Sequence, residues 1–312
     1  MSRGKKYSLL VPCYNAQNYI EGFIENLETL ILPFDEIIFY DDASEDNTVQ
    51  ILISKGLNVI QGKTNKGPGY ARNKLVENST CEWFHFHDID DLLTPDYLTR
   101  TSELAEKGKF DVILCNVNWF DSRTKKLVRS WEYSDTEMNQ NPLVYTISNP
   151  IGGINGLYRK TKFIETGGFN TTIRIWEDAD IHVRLAGKNA IFHVIEEVLS
   201  YSIRYPTSTS PNQKLGWLTR ANLLGEYYKI YKQEVVRSEI GTQAQLVASY
   251  LILYLQNNAA REALQLSELC NVKVPKNTSK VWTLLKKIIP APLRIELRLL
   301  HLKVAFRSST RF

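Results

Sequence analysis

Five short apolar runs lie between Tyr7 and Asn118, separated by stretches with helical spacing, and few folds accept that rhythm. Tyr7–Val11, Glu36–Tyr40, Leu57–Gln61, Trp83–His87 and Val112–Asn118 read as strands, the first stopped by Pro12. Gln17–Leu30 carries Ile20, Phe23, Ile24, Leu27 and Leu30 at helical intervals. Thr48–Lys55, a segment ending near Asn78, and Pro95–Glu106 supply three more helices. Strands alternating with helices predict an α/β fold with a mostly parallel, helix-covered sheet, and ligands then bind beyond the carboxyl ends of the strands. Three polar clusters fall at that edge: Pro12–Asn15, Asp41–Asp46 and Asp88–Asp91.

The third cluster is the most informative. Phe84–Asp91 reads FHFHDIDD, a strand ending in three carboxylates within four residues. Such acids repel one another unless a cation or a ligand's donors hold them. Asp88 and Asp90 are two apart, so an extended backbone aims both the same way. Hard divalent ions such as Mg2+ or Mn2+ take oxygen ligands of this kind and share them with phosphates. The plainer reading is an acidic loop before the next helix, with Thr94 as N-cap and Pro95 at the first helical position.

Beyond Asn118 the strand–helix rhythm fades. Residues 119–150 read as polar and loop-like, with a hairpin around Ser122–Lys126. Ile151–Gly156 and Gly167–Gly168 read as glycine-rich turns flanking a short helix near Arg159–Glu165. Trp176–Asp178 opens a helix over Ala179–Gly187, and Ile191–Leu199 reads as a strand. Past the turn-rich stretch Arg204–Asn212 only helical patterns remain, at roughly 215–232, 239–257 and 259–270. A boundary near 212 therefore divides a catalytic domain, 1–212, from a helical region, 213–312. In that region Tyr227, Tyr228, Tyr231, Tyr250 and Tyr254 recur at helical spacing, as packing residues do, against the first domain or a second copy.

Charge separates the two parts as well. Residues 276–312 hold nine Lys/Arg against one acid, Glu296, a net +8 in a chain whose total is +4, which leaves the body at −4. Within this tail, 281–306 alternates Leu, Ile and Val with Lys and Arg and carries Trp282. A basic amphipathic helix over about 280–307 suits an anionic membrane surface; the alternative is a solvated helix packed on the core. The apolar residues interleave too regularly for a nucleic-acid tail. Cys13, Cys81, Cys115 and Cys270 lack CxxC spacing and read as reduced thiols. No signal peptide and no membrane-spanning run is legible, so a cytoplasmic protein, peripheral at the inner face of the plasma membrane, is expected.

The motifs VPCYN (11–15), DDASEDNT (41–48), NKGPGYARN (65–73), HDIDD (87–91), GGFN (167–170) and ED (177–178) follow one another in this order. Over residues 7–210 the chain resembles the GT-A fold inverting glycosyltransferases of family 2, which use nucleotide-diphosphate sugars. The resemblance implies a donor-nucleotide site lined by Pro12, Tyr14, Asp41, Asp42, Asn65, Gly67, Arg72 and Asp88. Asp41 or Asp42 would accept hydrogen bonds from the nucleobase or ribose; the alternative is a cap on the helix at Thr48, a need that Asp46 or Asn47 fills better. Arg72 would reach the diphosphate or the base region, a task suited to a forked, permanently charged side chain.

Asp88 and Asp90 resemble the family's metal-binding pair for Mn2+ or Mg2+, with Asp90 coordinating directly and Asp91 orienting it. Asp178, with Glu177 in reserve, resembles the catalytic base that inversion in one displacement requires. An acidic helix start favoured by the macrodipole is the structural alternative for this pair. Trp176, Arg204 and Tyr205 are further candidates for acceptor or diphosphate contacts. Relatives often carry a histidine where SIRYPTSTS (202–210) places Tyr205, which leaves the third metal contact open. His87, His182 and His193 are spare candidates that read better as structural residues. The implied activity is metal-dependent, inverting sugar transfer from a nucleotide-diphosphate sugar, UDP-linked by expectation, to a glycan or lipid-linked glycan. The competing reading is a catalytically silent sugar-nucleotide-binding scaffold for another transferase.

Overall fold

The computed structural model describes residues 6–152, 155–205, 212–275 and 289–309. The chain divides into two compact units, Met1–Ser208 and Thr209–Phe312. In the first, β1 (Tyr7–Cys13), α1 (Ile20–Glu28), β2 (Glu36–Asp41), α2 (Thr48–Ser54), β3 (Val59–Gln61), α3 (Pro68–Asn78) and β4 (Trp83–Phe86) follow the predicted alternation. After β5 (Leu92–Leu93) and α4 (Tyr97–Glu106) come β6 (Val112–Asp121) and β7 (Leu127–Trp131), then α5 (Asp135–Gln140) and α6 (Pro142–Ser148). β8 (Gly156–Arg159), α7 (Lys160–Glu165), α8 (Glu177–Gly187) and β9 (Phe192–Arg204) complete the unit.

Among the described residues, nine strands form one sheet in the order β3-β2-β1-β4-β8-β6-β9-β5, with β7 on β6. β1 is parallel to β2 and β4, and β6 is parallel to β9, whereas β8 is inserted antiparallel between β4 and β6. The fold is therefore α/β, but the sheet is mixed and not mostly parallel as expected: the β1–β2, β1–β4, β2–β3 and β6–β9 ladders are parallel, and the β4–β8, β5–β9, β6–β7 and β6–β8 ladders are antiparallel. β4 is buried on both faces, because side chains alternate across a strand. Phe84 and Phe86 meet Tyr158, Phe163 and Phe169. Trp83 belongs to the core formed by Leu9, Val11, Phe23, Tyr97 and Leu98.

Several local expectations are corrected. β1 runs through Pro12, because β4 pairs with it only over Tyr7–Leu10. Leu10 faces β4, accepting from His87 N; alternation turns Pro12 to the same side, past the last β4 partner, where no amide is needed. Thr94 is not an N-cap: Thr94 N bonds Leu199 O beside the β5–β9 ladder, and α4 begins three residues later behind Asp96. Residues 119–150 are not loop-like: the expected hairpin is present as β6–β7, and two capped helices follow. Residues 153–154, within the glycine turn, lie outside the described residues.

The second unit is helical, with α9 (Gln213–Ile230), α10 (Glu234–Leu253), α11 (Asn257–Leu269) and α12 (Ala291–Ser309). α10 packs against the other three. Tyr227 and Tyr231 are buried, while Tyr250 stacks on Trp217 with centroids 3.9 Å apart. Ile295 and Leu299 form the inner face of α12, and Arg294 is tied to Glu268 at 2.8 Å. Residues 276–288, including Trp282, lie outside the described residues, so the expected amphipathic helix is described only from Ala291 onward. No described helix is long and apolar enough to cross a membrane.

Candidate active site

The strand ends carry loops stapled to one another. Asn15 N donates to Ser44 Oγ at 2.8 Å, and Asn15 Oδ1 accepts from Glu45 N at 2.9 Å. Ala16 N and Gln17 N reach Thr48 Oγ1 and Asp46 Oδ2. Asp41 accepts from Ser44 N at 3.0 Å, and Asp46, not Asn47, takes Thr48 N at the start of α2. Asp42 gathers the next loop, accepting from Lys66 N at 2.9 Å and Gly67 N at 2.7 Å. Gly67 has φ of +90°, a backbone that glycine adopts without strain. Both acids of the DD pair are thus engaged by loop backbone, while Tyr14 stands 46% exposed beside them.

Arg72, on the first turns of α3, joins two distant stretches of acid. Its Nη2 donates to Asp88 Oδ1 at 2.8 Å and its Nη1 to Glu177 Oε1 at 3.0 Å. Burial opposes its charge, but Asp88, Glu177 and Asp178 together hold its pKa above the ordinary value. Arg72 Nε is buried without a partner. The guanidinium expected to meet the diphosphate is therefore seated between carboxylates.

The acids themselves are pushed toward protonation. Burial, then the Asp88 charge, raises the Asp90 carboxyl to about 6. Asp91 is also raised well above the ordinary carboxylate value, by burial, Asp88 and Asp90, and its Oδ1 accepts from Ile203 N at 2.8 Å, fixing the end of β9. At that end Arg204 is exposed, and the Tyr205 ring lies 4.9 Å from Tyr19; residues 206–210 of the turn-rich stretch lie outside the described residues. Burial and Asp90 keep the Tyr205 phenol protonated, a donor rather than an ion ligand. Glu177 rises to about 7 through burial and Asp178, against Arg72. Asp178 is raised by burial, with Arg72 pulling the other way.

Asp178 has surroundings that the motifs did not announce. A Cβ on Gly152 would lie 3.2 Å from Trp131 Cζ3, 3.4 Å from Asn155 Oδ1 and 3.7 Å from Asp178 Oδ2. Three side chains from β7, the 152–155 turn and α8 therefore converge on one point. Trp176 enters α8 with φ of +72°, and Asn15 (+51°) and Ala43 (+64°) are also left-handed; such strain concentrates at functional loops. His182 Nδ1 donates to Asp178 O at 2.6 Å and its Nε2 accepts from Tyr158 Oη at 2.8 Å. His87 Nε2 meets Asp91 O at 3.1 Å, and His193 sits 3.0 Å from Asp135 and stacks on Phe110. Among the described residues no three His, Cys, Asp or Glu side chains group as a complete metal cage.

The profile of Glycosyl transferase family 2 matches residues 8–167, and the chain belongs to that family; it is a glycosyltransferase. An uncharacterised glycosyltransferase of Haemophilus influenzae is 26% identical over 202 residues, 62% of this chain and 67% of its own length. The Staphylococcus aureus poly(ribitol-phosphate) beta-N-acetylglucosaminyltransferase TarS is 28% identical over 152 residues, 46% of this chain but 26% of its own. In structure, TarS residues 1–349 in complex with UDP-GlcNAc superpose with a TM-score of 0.67 at 21% identity, over 97% of this chain and 92% of that one. A Pyrobaculum calidifontis mannosyltransferase in complex with GDP-Man and Mn2+ gives 0.59 at 15% identity, over 99% and 88%. The shared architecture is the GT-A fold.

Proposed function

We propose that this glycosyltransferase moves a sugar from a UDP-sugar to a glycan or lipid-linked glycan hydroxyl with inversion, Asp178 acting as base. The observation that carries the reading is Arg72 gripping Asp88 and Glu177 at once, since it puts the acids after β4 and those opening α8 beside one cation. Glu177 is held by that guanidinium, so Asp178 is the carboxylate left to take the proton. As the acceptor oxygen attacks the anomeric carbon, its proton passes to Asp178 and the bond to the diphosphate breaks, the electron pair leaving with the nucleoside diphosphate. Trp131 and Asn155, which meet Asp178 around Gly152, would form the acceptor's side of the cleft.

Asp90 and Asp88 would hold a divalent cation. Two carboxylates, with no third His, Cys, Asp or Glu grouped beside them among the described residues, suit an ion that completes its shell with water and phosphate oxygens. Such an ion, when bound, offsets charge on the departing diphosphate. The TarS complex with UDP-GlcNAc supports the uridine donor, and the mannosyltransferase complex with Mn2+ supports the ion.

Two substitutions test the assignment. With UDP-GlcNAc and Mn2+, Asp178→Asn is expected to lower donor turnover about 10^2- to 10^4-fold, the usual worth of a positioned base, at unchanged Tm. Asp90→Asn is expected to abolish the Mn2+ dependence of UDP binding. Full turnover in both variants sinks the reading, and UDP binding without turnover in the wild type would favour the silent scaffold.

A further inference from the structure

Arg174, which no motif singled out, lies in the loop before α8 and reaches across to the loop before α3. Its Nη1 donates to Asn65 Oδ1 at 3.2 Å and its Nη2 to the Asn65 carbonyl at 3.3 Å. Its Cγ would stand 3.6 Å from a Cβ on Gly67, so the side chain lies along this loop. The loop is itself pinned to the end of β2 by Asp42, which takes the amides of Lys66 and Gly67. Arg174 makes no ion pair with any described residue; both of its recorded acceptors are neutral oxygens of one asparagine.

Hydrogen-bond sense then fixes a property of Asn65. A guanidinium only donates, so the Asn65 carbonyl oxygen must face Arg174 and its amino group must face away. That amino group has two N–H donors and no acceptor among the described residues. A free asparagine could flip and offer either function, whereas this one is held with a donor outward.

We propose that Arg174 is a positioning residue for nucleobase choice: by fixing the Asn65 amide, it makes the site select a base that presents a carbonyl oxygen over one that presents an amino group. Uracil and cytosine differ in this way at their fourth position, so the pair discriminates UDP from CDP. The inference rests on the proposed UDP-sugar donor and on the expected nucleotide site lined by Pro12, Tyr14, Asp41, Asp42, Asn65 and Gly67. Asn65 and Arg174 are both exposed, so water satisfies the amide until a base covers it; the mispaired base then sets two donors against each other, which is worth about tenfold in affinity.

Calorimetric titration of the full chain with UDP, CDP and GDP in the presence of Mn2+ tests it. The wild type is expected to bind UDP about tenfold more tightly than CDP. Arg174→Met should bring that ratio close to one, by weakening UDP with little change for CDP and no fall in Tm. Arg174→Lys, which still donates to Asn65 Oδ1, should retain the preference, and Asn65→Asp should reverse it. Equal affinity for UDP and CDP in the wild type, an undiminished ratio in Arg174→Met, or an equal loss for both ligands overturns the inference; the last is the mark of a loop that has merely loosened. A wild type that binds none of the three nucleotides overturns the donor reading itself, a different outcome from any of these.

Discussion

Arg72 is the residue on which both halves of the site depend. Glu177 is almost wholly buried, and Arg72 is the cation it is paired with. Arg72→Met leaves that carboxylate without a counter-charge, so a loss of about 3–5 kcal/mol is expected in urea unfolding, together with loss of transfer. Arg72→Lys keeps the charge but not the fork; it should hold one acid, recover part of the stability and little of the activity. Asp178 supplies a pH signature. A base works only when deprotonated, and burial raises its pKa, so activity falls as pH drops through a value above the ordinary carboxylate range. A kcat/KM profile whose acid limb lies near pH 4 would contradict this.

The sequence made Arg72, Asp88 and Glu177 visible as separate motif members. It could not make their contact visible, because Arg72 and Glu177 stand 105 residues apart and the motif reading aimed the guanidinium at phosphate. Arg174 escaped notice for a related reason: a lone arginine between polar residues carries no local pattern.

Among elements, β4 carries the sharpest consequence. His85 and His87 lie on this strand and its exit, fully buried, and burial lowers them to about 3 and about 4; His182 on α8 is lowered to about 4 in the same way. Each is neutral in the fold but titrates near 6.5 when unfolded. A depressed imidazole pKa contributes stability that is complete above pH 6.5 and is lost as pH falls toward 4. At pH 5 the loss is about 2 kcal/mol per imidazole, so Tm should fall steeply between pH 7 and pH 5. Replacing His87 with Gln should flatten part of that slope.

Apart from the two-residue β5, the strands and helices up to Asn118 were legible because each of those strands is a compact apolar run and each helix repeats its apolar positions. β8 was not: GLYR is four residues beginning with glycine, and turn chemistry on its N-terminal side masked it. α5 and α6 had signals that went unread. Ser134 accepts from Glu137 N, and Asn141, ahead of Pro142, accepts from Val144 N; both are helix-start patterns. Thr94 shows the opposite error, a good cap residue held elsewhere by the β5–β9 ladder.

At the scale of the whole molecule, the second unit poses a question of surface. On α12, Leu293, Leu300 and Val304 are 51%, 59% and 60% exposed and, with Leu297, recur at intervals of four, three and four residues along one face. The tail's net +8 disfavours pairing this face with a second copy and favours an anionic bilayer. Flotation with vesicles containing phosphatidylglycerol should carry the protein upward, weakly at high salt and not with phosphatidylcholine alone. Leu293→Glu with Leu300→Glu should abolish it, and equal flotation with neutral vesicles would discard the electrostatic part.

The antiparallel insertion of β8 between β4 and β6 has a bearing on how the protein is made. Residues 7–91 emerge from the ribosome before the rest of the sheet and can pair β1 with β2 and β4, and β2 with β3, while synthesis continues. Arg72 meets its second acid 105 residues further along the chain, and β4 waits for β8, whose Leu157 pairs with His85. The nascent chain thus carries its nucleotide-side loops ahead of its base, and a product truncated before α8 would be expected to hold a misplaced buried cation and to be cleared by proteases.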